Sequence, residues 1–533
     1  MKLYIRSFLL ILALYGLLFA VGDAYLSRHD APVWVAAAFA TGIVLLQYAL
    51  GPYLIQFFLK IHWDDGKTEL PARNREFLEK LCFDRGLKMP RIGIIESATP
   101  NAFTFGHVPS NARVVVTSGL LAILTPEETN TVLAHEMGHV EHRDFIVMTL
   151  GALAPLLLYQ VYVFSRSSNK TRAVALGAYL AYVVSEYIVF LLSRTREYFA
   201  DQYSAQATGT PDLLAGALVK IAYGIFQADG AVAEALEKAG KEEKKRLGWE
   251  RARLGSMTMM GISNSNSGHS LGLCGEGTPG PEAVMRWDLV NPWARLYELN
   301  STHPLTAFRI QALHREAQAM HRPVAYPLPT GERIRWAAFP PQFVVWAAPW
   351  ACAIGTLLLA PFGYYYGDTV WLPQLLAPAL LALTGLSLAL RTSMRYRGEY
   401  RPATIASLMN DVDACEMRPR AVRLEGTVVG FGVPGAYFCA DLVLRDATGI
   451  LFVLYKQSLP LARFLFAVKG AADFIGKKVV LDGWFRRGLR PYVEISRMTC
   501  EDRAPVVGRA RLVLHALAAL LFVAGAVWLA AVL

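Results

Sequence analysis

Two histidines and a glutamate in the stretch TVLAHEMGHVEHRD, residues 131–144, have the types and spacing for metal-assisted hydrolysis. His135 and His139 are four residues apart, so on a helix both imidazoles lie on one face and can bind one ion. Zinc accepts imidazole ligands, and a catalytic zinc keeps one position for water. Glu136 is placed to take a proton from that water. We favour this interpretation over an ordinary polar helix face.

The helix that would carry these residues is predicted without reference to a metal. In TPEE, residues 125–128, Thr125 can cap the helix and Pro126 can take its first position. Glu128 then completes a capping box with Thr125. A helix is therefore expected to begin at this point.

A third metal ligand is predicted further along the chain. Residues 185–209, SEYIVFLLSRTREYFADQYSAQATG, contain no proline and no glycine before Gly209, which predicts one long helix out of an apolar segment. Glu197 and Asp201 share a face of that helix. We expect Glu197 to be the ligand and Asp201 to accept the second ring N–H of a zinc histidine. The alternative is that both form helix-surface ion pairs with Arg194.

The composition indicates a membrane protein. Of 533 residues, 54% are hydrophobic and 18% are charged, against about 25% charged in soluble domains. A bilayer-spanning helix needs about 20 mostly apolar residues. Seven segments qualify, at about 7–26, 33–59, 146–165, 173–192, 341–362, 370–390 and 510–533. We expect the first to be an uncleaved membrane helix and not a signal peptide.

These seven helices would form three hairpins and a terminal helix, which leaves the polar regions 60–145, 193–340 and 391–509 on one side. Arginine and lysine flank the membrane mainly on that side, so the positive-inside rule places these regions in the cytoplasm. The turn RSSNKTR opposes this, and the alternative is that segments 146–192 do not fully cross. The six cysteines are scattered, as expected of reduced thiols.

Residues 60–145 contain three strand-like pieces, RIGIIES, NAFTFGH and RVVVTS, which predict a small sheet before the metal helix. Residues 255–280 are rich in glycine and serine and are expected to form a flexible loop that can gate the site. Glu186 lies inside an apolar segment, where a carboxylate is costly. It is expected either to line a polar cavity leading to the metal or to sit near the membrane interface. His142 is interpreted as a helix-end histidine.

Residues 391–509 alternate apolar and polar positions between glycine-containing turns, which predicts a small all-β, OB-like domain. A basic and aromatic surface of the kind that binds nucleic acid is available in Trp484, Arg486, Arg487, Arg490 and Tyr492. Because the domain is tethered between membrane helices, we expect it to dock a protein partner or substrate instead of nucleic acid.

The order of motifs resembles the HtpX-like and CaaX-prenyl-protease family of integral-membrane zinc metallopeptidases. NAFTFG, HEMGHVEHRD, SRTREYFADQYSAQATGTPDLL and STHPLTAFRIQAL occur in that family's order, over roughly residues 60–315. Two apolar segments before the metal motif and two between the metal motifs are similar to the HtpX arrangement.

The resemblance implies one zinc ion per chain and a role for each matching residue. It makes His135, His139 and Glu197 the zinc ligands and Glu136 the general base and acid. It places Asp201 behind the ligands and His303 near the active site, as a hydrogen-bond donor to the oxyanion. Taken alone, His303 would be a loop histidine capping a helix. Substrate would bind as an added strand along Asn101, Ala102, Phe103, Thr104 and Phe105.

We therefore expect a mainly α polytopic membrane protein with a zincin-like catalytic region of small sheet content and a C-terminal OB-like domain. Its expected divisions are a hairpin at 1–59, a peptidase domain at 60–340 interrupted by hairpin 146–192, a hairpin at 341–390, the β domain at 391–509 and a helix at 510–533. The expected function is zinc-dependent cleavage of membrane-associated polypeptides at the bacterial plasma membrane. A CaaX-type processing peptidase and a non-catalytic scaffold that acts through the β domain are the alternatives.

Overall fold

The computed structural model describes residues 33–64, 70–166, 171–238, 262, 280–328, 332–366, 371–431, 439–457, 460–488 and 490–533. The apolar segment expected at 7–26 lies outside these residues, and so does the loop expected at 255–280 apart from Ile262 and Gly280. The chain divides into two compact units. The first is Met1–Asp229, Lys241–Gly272 and Arg295–Leu328, and the second is Gly230–Gly240, Leu273–Ala294 and Pro329–Leu533.

The described elements of the first unit follow the predicted order. They are α1 (Val33–Leu59), β1 (His62–Trp63), α2 (Ala72–Arg85), β2 (Arg91–Ile95), β3 (Ala102–Phe105), β4 (Arg113–Thr117), α3 (Ser118–Ile123), α4 (Pro126–Glu141), α5 (Asp144–Ser165), α6 (Arg172–Thr208) and α7 (Pro211–Lys238). After α8 (Pro281–Val290) and α9 (Pro292–Glu298), α10 (Thr306–Ala319) returns to this unit.

The sheet has the order β1-β2-β4-β3, which leaves β3 at an edge. β4 pairs parallel with β2 and antiparallel with β3. Phe103 and Phe105 alternate to the same face and pack with Leu59, Ile95 and Val115 in one buried cluster. This cluster fixes the register of β3, because a slip of one residue would expose both rings.

The metal-motif helix α4 begins with the predicted capping box. The Thr125 hydroxyl accepts a hydrogen bond from the Glu128 amide, and the Glu128 carboxylate accepts one from the Thr125 amide. α4 packs closely on α6 at Gly138, where an added Cβ would lie 3.1 Å from the Cα of Ala200. The Ser204 hydroxyl also donates to the Thr131 carbonyl at 2.6 Å. α6 runs unbroken to Gly209, as predicted, and ends there in a left-handed cap.

Five helices of the described chain are long and apolar enough to cross a bilayer. They span Asp144–Ser165, Arg172–Thr208, Trp336–Pro361, Trp371–Arg395 and Ala510–Val532. They match the last five of the seven predicted segments. The predicted segment 33–59 is helical as α1, and its stretch Tyr48–Leu59 is apolar but shorter than a span.

The second unit contains the last three of these helices and a β barrel. Its later elements are α11 (Phe339–Tyr366), α12 (Trp371–Arg395), β5 (Arg401–Pro402), α13 (Ile405–Met409), β6 (Arg420–Phe431), β7 (Leu442–Arg445), β8 (Ile450–Leu454), α14 (Pro460–Lys469), β9 (Lys478–Arg486), β10 (Tyr492–Cys500), β11 (Arg503–Val507) and α15 (Ala510–Val532). Strands β6, β7, β8, β10 and β9 pair in a closed ring.

Two expectations for this region are wrong. It is not all-β, because α13 and α14 lie within it. Trp484, Arg486 and Arg487 do not form a surface, since they are 5%, 0% and 2% exposed. Arg486 pairs with the buried Glu494, and Arg487 donates to main-chain carbonyls of the same unit. Alternation of polar and apolar residues cannot reveal a guanidinium buried against such partners.

Candidate active site

The three predicted metal ligands lie together where α4 crosses α6. Nε2 of His135 and Nε2 of His139 are each 3.7 Å from a different carboxylate oxygen of Glu197. The candidate ligand atoms of all three residues lie within 4.8 Å of one another. His135 and Glu197 are buried, and His139 is partly exposed. Two consecutive turns of α4 and one position of α6 therefore point at one place.

These donors fit a zinc ion. Tetrahedral bonds of 2.0–2.2 Å place neighbouring ligand atoms about 3.4 Å apart, close to the two histidine–glutamate distances. Nε2 of His135 and Oε2 of Glu197 are also buried without a hydrogen bond among the described residues. Buried polar atoms are costly when unpaired, and a bound cation would satisfy both. Two imidazoles and one carboxylate leave a fourth position for water, as in catalytic zinc sites.

Each histidine has a carboxylate on its other ring nitrogen. Asp201 lies 3.0 Å from Nδ1 of His135, at the position predicted for it. Asp144 lies 2.6 Å from Nδ1 of His139, a contact that the sequence analysis missed. Arg143 has a left-handed φ of 58°, which turns the chain between α4 and α5 and brings Asp144 back to His139. The aspartate that closes HEMGHVEHRD was the available signal.

Behind these carboxylates lies Arg309 of α10, which the sequence analysis also missed. It is 2% exposed and binds Asp201 through two nitrogens at 2.6 and 2.8 Å. A third nitrogen lies 3.3 Å from Glu197. Burial alone would lower the pKa of the Arg309 guanidinium, but Asp201 and Glu197 raise it above its usual range. Because both carboxylates are buried, the alternative of helix-surface ion pairs does not hold.

The predicted general base faces the same site. Oε2 of Glu136 accepts a hydrogen bond from the Thr104 hydroxyl of β3 at 2.6 Å. Both residues line a cavity of about 230 Å³. The described residues of its wall are Thr104, Glu136, His139, Asp144, Phe145, Met148, Ser193, Arg196, Glu197, Ile262 and His303. The cavity thus joins the predicted base, two of the predicted ligands and the edge strand.

His303 lies in this wall and not at a helix cap. Its Nδ1 is 3.3 Å from Oε1 of Glu197, and the side chain is 12% exposed. The following helix α10 is capped by Leu305 without a side-chain hydrogen bond. The alternative of a capping histidine is therefore wrong, and His303 is next to the candidate metal ligands.

The predicted substrate strand starts one residue later than expected, at Ala102, and its outer edge is partly occupied. The main-chain N–H of Ile262 donates to the carbonyl of Ala102 at 3.1 Å. The carbonyl of Ile262 accepts from Arg309, and its side chain is 2% exposed in the cavity wall. Asn101 precedes the strand, and its side chain accepts from the Ala102 amide.

His142 ends α4 as its cap residue, in agreement with the helix-end interpretation. Its ring packs edge-on against Phe199 and Tyr203 of α6, with centroid distances of 6.5 and 5.9 Å. Burial first, then the nearby Arg196, lowers the pKa of His142 to about 4. It is a neutral packing residue between the two metal-site helices.

Known proteins were compared with the chain. Residues 72–317 match the model of peptidase family M48. A Protease HtpX homolog of Methanothermobacter thermautotrophicus is 38% identical over 226 residues, which are 41% of this chain and 86% of that protein. One from Thermococcus sibiricus is 28% identical over 60% of this chain and 97% of its own length.

A crystal structure of S. mikatae Ste24p, at 17% identity, covers 58% of this chain and 66% of that one with a TM-score of 0.33. That score is too low to bear on the fold. The matched family region contains His135, His139 and Glu197, and two of the five candidate spans lie within it. The chain therefore belongs to peptidase family M48, as an HtpX-like integral-membrane metalloprotease.

Proposed function

We propose that this protein is a zinc-dependent endopeptidase that cleaves membrane or membrane-associated polypeptides, with its site on the cytoplasmic face of the bacterial plasma membrane. The observation that carries the proposal is the cavity where Glu136, the three metal donors and strand β3 meet. The arginine and lysine distribution supports the cytoplasmic orientation.

When held by His135, His139 and Glu197, a zinc ion supplies the Lewis acid that activates water and the scissile carbonyl. Glu136 takes the proton of the attacking water and passes it to the leaving amine. The hydrogen bond from Thr104 to Oε2 holds one oxygen of Glu136 and leaves the other for that proton.

Two further residues have supporting roles. His303 has Nδ1 turned toward Glu197, so Nε2 is the nitrogen left to donate to the oxyanion. Asp201, fixed by Arg309, holds the ring of His135 in one orientation.

The substrate is proposed to pair with the outer edge of β3, from Ala102 to Phe105. The contact from Ile262 to Ala102 supports this binding mode, because it is the kind of main-chain hydrogen bond an added strand would make. A substrate that uses the whole edge must displace Ile262.

The decisive test compares wild type with Glu136→Gln. The variant is expected to keep one zinc per chain and to lose cleavage by at least 100-fold, because general-base catalysis contributes about 10²–10⁴-fold. Glu127→Gln, on the exposed first turn of the same helix, is the matched control and should remain active. Quantitative mass spectrometry of new peptide termini in membranes is the readout.

If the termini are the same in Glu136→Gln as in wild type, the protease assignment fails and the scaffold alternative gains. If the lost termini all come from prenylated proteins, the CaaX-type alternative replaces the broader substrate class.

A further inference from the structure

A second, larger cavity of about 680 Å³ lies next to the metal-site cavity, in the apolar part of the first unit. It runs between α1, α5, α6 and the end of β3, and we call it the membrane cavity. The lining used in the argument is Tyr48, Thr104, Met148, Tyr159, Tyr182 and Glu186. It is far larger than one side chain, so it can hold several residues of a polypeptide.

The membrane cavity and the metal-site cavity share a wall. Thr104, Phe145 and Met148 line both of them. Thr104 is also the residue of β3 that holds Glu136. A chain bound along β3 would therefore extend from the metal site into the membrane cavity without leaving the first unit.

Glu186 is the single carboxylate in the described lining of this cavity. It lies in the apolar stretch of α6, where an ionisable side chain is costly and is usually retained for function. Among the described residues it forms no hydrogen bond and no salt bridge, although Tyr182 is close enough to interact electrostatically. The rings of Tyr159 and Tyr182 lie 5.5 Å apart at the same wall. A carboxylate beside tyrosine faces is a site for a cation.

We propose that Glu186 binds a lysine or arginine side chain of the substrate and so selects membrane segments that carry one basic residue. This inference rests on the proposed peptidase function and specifies its substrate class. The alternative of an interface position for Glu186 does not explain why its helix presents it to a cavity that adjoins the metal site.

The geometry also sets where the basic residue must lie. Glu186 is eleven residues before Glu197 on α6, which is three turns along the same face and about 16 Å. An extended chain covers about 3.3 Å per residue. The basic residue is therefore expected about five residues from the scissile bond.

The test uses full-length zinc-loaded protein in liposomes and synthetic 20-residue apolar peptides. In each peptide one lysine is placed at a different position, and the parent peptide has leucine throughout. Cleavage sites and rates are read by mass spectrometry. Wild type should cleave best when lysine lies about five residues from the cut, with kcat/KM at least tenfold above the leucine parent.

Glu186→Gln should bring the lysine-to-leucine ratio to about one while zinc content stays at one per chain. Glu186→Lys should reverse the preference toward peptides with glutamate at that position. Glu127→Gln, outside the cavity, should keep the wild-type ratio. A Glu186→Gln variant that retains the lysine preference overturns the proposal, and so does a wild type without one.

Binding separates this inference from the proposed function. In the Glu136→Gln background, the lysine peptide should bind at least tenfold more tightly than the leucine peptide, and adding Glu186→Gln should remove the difference. If this binding is found but chelator-sensitive cleavage is absent in wild type, the peptidase proposal fails and the cation site stands. If cleavage occurs without the binding difference, the cation site fails alone.

Discussion

Replacing Arg309 tests whether the charges behind the metal ligands organise the site. Arg309→Met keeps the length of the side chain and removes its charge. In the native protein this guanidinium binds Asp201 twice and also faces Glu197. The variant leaves two buried carboxylates that face each other without their cation.

The structure sets the size of the effect. Breaking a buried ion pair from one side costs about 3–5 kcal/mol, because the remaining charge stays buried. Asp201 also fixes Nδ1 of His135, so its displacement should weaken zinc binding by about 10–100-fold, as for other carboxylates behind zinc histidines. The extra negative charge attracts zinc more strongly, but it cannot restore the orientation of His135.

Zinc affinity is measured by chelator competition, and stability by thermal unfolding in detergent with and without zinc. Arg315→Met is the matched control, since Arg315 is exposed on the same helix α10. A cycle with Asp201→Asn isolates the Arg309–Asp201 coupling, which should exceed about 1 kcal/mol. Equal zinc affinity and equal melting in Arg309→Met and wild type would refute the reasoning.

Three shorter predictions address the helix crossing, its pH response and the substrate edge. Gly138→Leu should lose zinc, because a Cβ there already lies 3.1 Å from the Cα of Ala200, whereas Gly138→Ala should keep zinc and cost about 1 kcal/mol; zinc content and melting decide this. The unfolded chain binds a proton at His142 below about pH 6.5 and the folded chain only below about pH 4, so stability should fall as pH drops through that range, and His142→Phe should reduce this fall in melting temperature; an unchanged pH profile would contradict it. Ile262→Gly should raise kcat/KM on extended peptides by about tenfold, since less buried apolar surface then holds this residue against Ala102, and a lower value would count against displacement.

The parts of the site that could be predicted depend on local sequence. The capping box, the four-residue spacing of His135 and His139 and the unbroken helix carrying Glu197 are all local patterns, and the structure has each of them. The strands of the first sheet were also found, because their β-branched residues lie between turn signals.

The remaining contacts join residues far apart in sequence. Arg309 follows Asp201 by 108 residues, and Ile262 reaches Ala102 from a stretch without periodicity. Charge type alone cannot choose a buried partner at such a separation. The same limit produced the error at Arg486, where a basic residue in a strand was interpreted as surface although its partner Glu494 lies on the neighbouring strand.

The connection between the two metal-site helices links the site to the membrane. α4 supplies two ligands and α6 the third, and the chain between them is α5 and the apolar first part of α6. The metal donors therefore meet only when this helical hairpin packs correctly. Because ligand binding to the folded state adds to its stability, zinc bound by His135, His139 and Glu197 would stabilise that packing. Glu186, on the same α6, would then have its position relative to the scissile bond fixed by the helix that also carries the third ligand.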